Sequence, residues 1–314
     1  MLEVDFLRLA LAEESGSWDA DTMTKNANQV LPERVLGRRR AVLLRSDIHT
    51  QWAQWFVEGL ADPSRYLEKS YPHIFADVHA AVNRVFPDCT KPERLSLAQT
   101  AARFVENSAS AIRKLKQRVQ ADREQRIVLL DLSGNPPRCW ICGLRFCGEA
   151  TENFRNGNAA LDLPSPPFLD ILKPIGLKPQ DLRIEADHVY PFSHGGGDLD
   201  NLRLSCGWCN RYKSSLQSLY EVEGRPISAA PNKFGFTTLP QRFWTVRTLA
   251  TQRSCEHPDG CTASCDDHEM TIAPINDTGA LNPGNLRVVC PEHDPYGNAR
   301  LQHRDAVAAL WSQA

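Results

Sequence analysis

Two short stretches hold most of the chemistry in this chain. The first is Glu185-Ala186-Asp187-His188; the second begins at Asn201 and runs Asn201-Leu202-Arg203-Leu204-Ser205-Cys206-Gly207-Trp208-Cys209-Asn210. An acid beside an imidazole, an amide midway and a second amide next to a cysteine pair are the parts needed to hold one divalent cation against a phosphodiester and to activate a water.

The elements that must position them can be read from the same residues. Leu182 to Val189 reads as a short strand, Ser193 to Asp198 as a glycine-rich reversal, Leu202 to Ser205 as a second strand, and Gly207 to about Tyr220 as a helix. Successive strand residues face opposite sides, so Asp187 and His188 address one site only where the strand frays. Pro191, which has no ladder donor, is placed to end the strand there. On the helix Asn210 and Lys213 share a face, while Cys209 is turned about 100° from Asn210. One helix face therefore suits a catalytic cation and the next a structural one.

Residues 139 to about 220 resemble the HNH (ββα-metal, or His-Me finger) endonuclease family in its zinc-knuckle form, because Cys139-x-x-Cys142 and Cys206-x-x-Cys209 bracket the Asp-His pair and Asn201. The resemblance implies His188 as general base, Asp187 and Asn210 as ligands of a catalytic ion, and Asn201 as the residue that fixes the loop carrying the base. The third family position, often His, is Asn210 here, an H-N-N variant; an amide oxygen favours Mg²⁺ or Mn²⁺ over zinc at that ion. The implied reaction is hydrolysis of DNA, double-stranded, by in-line attack of water to leave a 5′-phosphate and a 3′-hydroxyl. His194 reads as a loop residue, and Lys213 as a phosphate contact or a solvated helix position.

The chain has 10 cysteines in 314 residues, and Glu3, Asp5 and Arg8 interrupt the opening apolar run, so no secretory leader is legible there. With no apolar stretch of transmembrane length either, the chain reads as cytoplasmic and its clustered cysteines as metal ligands. Cys139, Cys142, Cys206 and Cys209 are expected to form a Cys₄ zinc site, with Cys147 as the main competitor, read as a free thiol. Residues 148 to 180, rich in proline, read as an insertion with a short helix near Phe168 to Leu172.

A second cluster holds Cys255, His257, Cys261, Cys265, His268, Cys290 and His293. Asn285-Leu286-Arg287-Val288-Val289-Cys290-Pro291-Glu292-His293 echoes Asn201 to Cys209 position for position, with His in place of the last Cys. The favoured ligand set for a second zinc is Cys255, Cys261, Cys290 and His293. Extending the echo pairs Asp267-His268 with Asp187-His188 and Asp294 with Asn210. The longer spacing to Asn285, and Pro295 directly after Asp294, oppose a working site, so this half reads as a degenerate structural copy.

The first 130 residues are patterned as helices. Ile48, Trp52, Trp55, Phe56 and Leu60 recur at helical spacing, as do Phe75, Val78, Val82, Val85 and Phe86, and a longer series runs from Leu97 to Val119. The aromatic stripe reads as core rather than as a base-stacking platform. Arg113, Lys114, Lys116, Arg118, Arg123 and Arg126 place a basic face on the last helix, with Arg113, Lys116 and Arg123 as phosphate contacts; a merely solvated face is the other reading.

The expectation is thus an α+β chain: a helical domain over 1–130 for partner docking, dimerisation or DNA contact, a nuclease core over 131–225, and a C-terminal zinc-binding subdomain over 226–314. With 36 basic against 38 acidic side chains, affinity is expected to be local and metal-assisted, or supplied by a protein partner or a second copy. An effector of a bacterial anti-phage or restriction system fits this frame by analogy. The competing class is a zinc-stabilised nucleic-acid-binding or protein-interaction module without catalysis.

Overall fold

A computed structural model describes residues 2–12, 19–114, 121–189, 201–229 and 235–312. The chain divides into two compact units, Met1–His49 and Thr50–Ala314. The first contains α1 (Leu2–Ala12), α2 (Ala20–Ala27) and α3 (Glu33–Leu36), and α4 (Arg38–Leu60) begins in it and continues into the second. Asp19 caps α2 by accepting from the backbone N–H of Thr22 at 2.9 Å.

The second unit opens with two long helices, α5 (Tyr71–Val85) and α6 (Lys91–Lys114). Ile74, Val78, Ala81 and Val82 recur every three or four residues and are buried, against Ala98, Ala101, Ala102 and Val105 of α6. The alanines let the β-branched ridge of α5 approach closely. Helical spacing did not determine burial on α4, however. Trp52 and Trp55 are 68% and 62% exposed, and Phe56, 43% exposed, meets Phe86 edge-on at 5.7 Å. The aromatic stripe is therefore surface among the described residues, not core.

The basic helix expected to run on to Arg126 is interrupted. α6 ends at Lys114, and α7 (Arg123–Leu132) has its own capping box, made by Asp122 and Gln125. Lys116, Arg118 and Val119 lie outside the described residues.

Beyond α7 come α8 (Gly148–Asn156), β1 (Phe168–Asp170), β2 (Ile184–His188), β3 (Leu202–Cys206), α9 (Gly207–Lys213), β4 (Ile227–Ser228), β5 (Thr238–Leu239), α10 (Arg242–Gln252), β6 (Thr271–Pro274), β7 (Leu286–Val289), β8 (Leu301–His303) and α11 (Arg304–Ser312). The described strands pair as four antiparallel ribbons: β1 with β8, β2 with β3, β4 with β5 and β6 with β7. The short helix expected near Phe168 to Leu172 is instead β1. A five-residue apolar run suits either form, and its strand partner, Leu301–His303, lies far along the chain. Residues 148 to 180 are built into the C-terminal end of the fold by that pairing.

The β2–β3 and β6–β7 ribbons are two editions of one unit. Before β2, Cys139 N–H donates to Leu144 O and Trp140 N–H to Leu204 O; before β6, Cys255 N–H donates to Ala263 O and Glu256 N–H to Val288 O. Val189 N–H to Asn201 O closes the first ribbon, and Ile275 N–H to Asn285 O the second, each at 2.8 Å. The isolated bridges Arg138 to Arg145 and Ser254 to Ser264 correspond as well.

This register corrects the sequence echo. Asp187 pairs with Arg203 and His188 with Leu202; the matching positions, Arg287 and Leu286, pair with Ala273 and Pro274. Ala273-Pro274, not Asp267-His268, stands where Asp187-His188 stands. Asp267-His268 lies on the first knuckle: a Cβ on Gly143, whose φ is +72°, would sit 1.9 Å from His268 O, and Met270 N–H donates to Cys142 O at 2.8 Å.

Candidate metal-dependent site

The β2–β3 ribbon and α9 form a strand–strand–helix unit closed at its base by sulfur. The Sγ atoms of Cys139, Cys142, Cys206 and Cys209 lie within 4.8 Å of one another and all four residues are buried. Cys206 caps α9, its sulfur accepting from the N–H of Cys209 at 3.5 Å, as the turn of a Cys-x-x-Cys knuckle requires. Burial drives the Cys206 and Cys209 thiols well above their usual range, while hydrogen bonds from the other three sulfurs hold Cys139 well below it. The donor set fits zinc.

The second cluster is arranged alike. Cys255, Cys261, Cys290 and His293 bring their ligand atoms within 4.8 Å of one another. His293 Nδ1 lies 3.2 Å from Cys290 Sγ and 3.7 Å from Cys255 Sγ, and its Nε2 is held 3.0 Å from Asp259 Oδ2. A ligating imidazole oriented by a carboxylate on its far nitrogen is the usual support of a zinc site. Cys147 N-caps α8, and Cys265 donates to Ile141 O at 3.0 Å; neither belongs to a four-ligand group.

α9 packs over the ribbon at very short range. A Cβ on Gly207 would lie 2.0 Å from Gln180 O and 3.1 Å from Glu185 Oε1, so only glycine permits this approach. Arg211 reinforces it by donating to the buried Asp181 at 2.8 Å. The helix ends at Lys213, well short of Tyr220, because Ser214 takes φ +48°.

The functional side chains meet between ribbon and helix. Glu185 and Asp187, two apart on β2, share a face; Asn210 and Lys213, three apart on α9, share the face opposite. Asn210 Nδ2 donates to Glu185 Oε2, and Lys213 Nζ donates to Asp187 Oδ1 at 2.8 Å and to the carbonyl of His188. Trp140 Nε1 donates to the other Asp187 oxygen at 2.9 Å. Asp187 is 4% exposed; burial pushes its carboxyl above the ordinary range, and Lys213 and Trp140 offset part of that rise.

β2 does not fray at His188 as expected: His188 stays in register with Leu202, and Val189 N–H donates to Asn201 O, so the half-buried His188 falls on the alternate side of the strand from Asp187. Pro191, His194 and the 193–198 reversal lie outside the described residues. Lys213 is not on a solvated face, as one reading of the sequence had it, but buried against Asp187. Glu185 was missed by sequence reasoning; its signal was its same-face, i−2 relation to Asp187. Of the expected phosphate contacts, Arg113 is tied to Leu67 O at 3.0 Å and Arg123 is exposed.

The second ribbon has no such face. Arg300, 4% exposed, fills the corresponding ground: Nη1 donates to Ile272 O at 2.8 Å and to Asp294, the counterpart of Asn210, at 3.1 Å. Its Nε lies 2.9 Å from Asp170 Oδ1 but off the N–H axis, an ion pair rather than a hydrogen bond.

A hairpin and helix closed by four buried cysteines that could hold zinc, with Glu185 and Asp187 of β2 facing Asn210 and Lys213 of α9, form a ββα unit. Residues 177–216 match the family model described as HNH endonuclease, so this unit carries an HNH domain, with the nuclease-type function and nucleic-acid binding that the domain implies. No curated protein and no solved structure matches the chain. No helix among the described residues is long and apolar enough to cross a membrane.

Proposed function

We propose that the chain is a metal-dependent DNA endonuclease working through an H-N-N site. The observation that carries this reading is that the HNH match spans Asp187, His188, Asn201 and Asn210, and that α9 meets β2 through Asn210 on Glu185 and Lys213 on Asp187, with His188 next along the strand. Asp187 and Asn210 would hold Mg²⁺ or Mn²⁺, which when bound neutralises charge on the phosphate and on the leaving oxygen. The donors are oxygens, which suits a hard cation. The His188 imidazole accepts the proton of the attacking water. Asn201, just before β3, accepts from Val189 N–H and would so fix the backbone next to His188. The two sulfur clusters hold structural zinc, one at the base of each ribbon.

The substrate is double-stranded DNA, hydrolysed to a 5′-phosphate and a 3′-hydroxyl. A net charge of −2 supports affinity supplied from outside the site, by a protein partner or a second copy docked on the helical 1–130 region. The exposed Trp52 and Trp55 support that role for the helices. A cytoplasmic anti-phage or restriction effector fits these features. The test is nicking of supercoiled plasmid in Mg²⁺ or Mn²⁺ against EDTA, with His188→Ala as the control that must fail to cut.

A second reading, a zinc-stabilised binding module without catalysis, is favoured by one observation: Asp187 already has a cation, the Lys213 ammonium. It predicts DNA binding without nicking in any divalent metal.

A further inference from the structure

Asn210 can ligate a hard cation through only one end of its amide, the oxygen, yet the two ends are almost the same shape. Something beside it must decide which end faces the gap. We propose that Glu185 is the positioning residue that does so: its carboxylate captures the Asn210 amide nitrogen and leaves the oxygen as the end available to a divalent cation. The proposal rests on the nuclease reading above only in taking Asn210 as a metal ligand.

The assignment of the amide follows from chemistry. Glu185 Oε2 and the Asn210 side chain are in hydrogen-bond contact, and a carboxylate has no proton to give, so its partner must be Nδ2. The bond is charge-assisted and part-buried, which makes it stronger than a bond between neutral groups. The flipped amide would set two oxygens against each other.

Glu185 is itself held in place. It lies on β2 in register with Ser205, and its second oxygen rests against the first turn of α9 in the space left by Gly207. Its neighbour on the same face, Asp187, is already engaged on both oxygens by Trp140 and Lys213. Asn210 therefore has one fixed partner on the strand. Orienting partners of this kind change metal affinity by roughly 10-fold to 100-fold when removed.

The experiment measures Mn²⁺ binding to the zinc-loaded full chain by the loss of the free-ion electron paramagnetic resonance signal, alongside plasmid nicking. Glu185→Ala is expected to weaken Mn²⁺ roughly 10-fold or more, whereas Glu185→Gln, which keeps an acceptor oxygen, stays close to wild type. Glu185→Ala combined with Asn210→Ala is expected to bind no more weakly than Asn210→Ala alone, because Glu185 acts through Asn210. Should Glu185→Ala fail to fold, Glu185→Met, which keeps the volume and removes the acceptor, serves in its place and is expected to weaken Mn²⁺ to the same extent.

Equal losses in Glu185→Gln and Glu185→Ala, or additive losses in the double variant, would make Glu185 a ligand in its own right and overturn the positioning role. Wild-type affinity in Glu185→Ala would overturn it too. A wild type that binds Mn²⁺ with this pattern but never nicks DNA leaves the positioning role standing and sinks the nuclease reading. Nicking with no difference in Mn²⁺ affinity among the variants does the reverse, and a wild type that binds no Mn²⁺ overturns both.

Discussion

Lys213 Nζ sits 2.8 Å from Asp187 Oδ1, with both residues buried, so the carboxylate next to His188 carries its own counter-ion. A divalent cation at Asp187 must share that oxygen or displace the ammonium. Lys213→Ala is expected to lower the melting temperature in metal-free buffer, because removing one member of a buried pair costs about 3–5 kcal/mol. Mn²⁺ should then raise the melt more in the variant than in wild type. An equal Mn²⁺ shift in both proteins would show that lysine and metal do not compete.

His188→Ala is expected to keep both zinc ions and its melting temperature while nicking falls by roughly 10²-fold to 10⁴-fold, the usual weight of a general base. Undiminished cutting by the variant would move the base to another residue.

Zinc stoichiometry separates the two sulfur clusters. Wild type is expected to hold two ions, with Cys142→Ser or Cys209→Ser losing the first and Cys290→Ser the second, each with a lower melt. Cys147→Ser and Cys265→Ser, outside both groups, should retain two. Full metal content in Cys290→Ser would dissolve the second assignment.

His268→Ala is expected to cut as wild type does, since the second ribbon carries Ala273-Pro274 at the paired positions and its cation ground is filled by Arg300. Loss of nicking with zinc retained would reveal a second centre.

Acid stability should depend on Asp170. Burial alone would raise its carboxyl, but Arg300 and Lys173 outweigh that and hold it below the ordinary range. A depressed folded-state value contributes stability that is present above the unfolded carboxylate value of about 4 and is lost as pH falls through the lower, folded one. The gap between wild type and Asp170→Asn, read by urea melts from pH 7 downward, is expected to close in that acid window. A gap that stays constant into strong acid would assign the loss to packing.

Local chemistry carried a good deal into the sequence. Cys-x-x-Cys spacing, the Asp-His pair, the two strands around it and the helix that starts at Gly207 all follow from contacts a few residues apart, where side-chain period and ligand spacing suffice. The aromatic series on α4 likewise disclosed a helix. What covers a helix is a nonlocal matter, and Trp52 and Trp55 prove to be exposed. Residues 168–172 chose strand over helix because an edge from residues 301–303 was there to pair with. Tertiary structure also decided which dipeptide in the second ribbon corresponds to Asp187-His188, since register is set by hydrogen bonds between strands and not by the nearest matching letters. It brought Glu185 to Asn210 and Lys213 to Asp187, partners separated by more than twenty positions, across a gap whose width depends on a glycine at 207. Residue types and short spacings determine which groups are available; packing alone determines which of them meet.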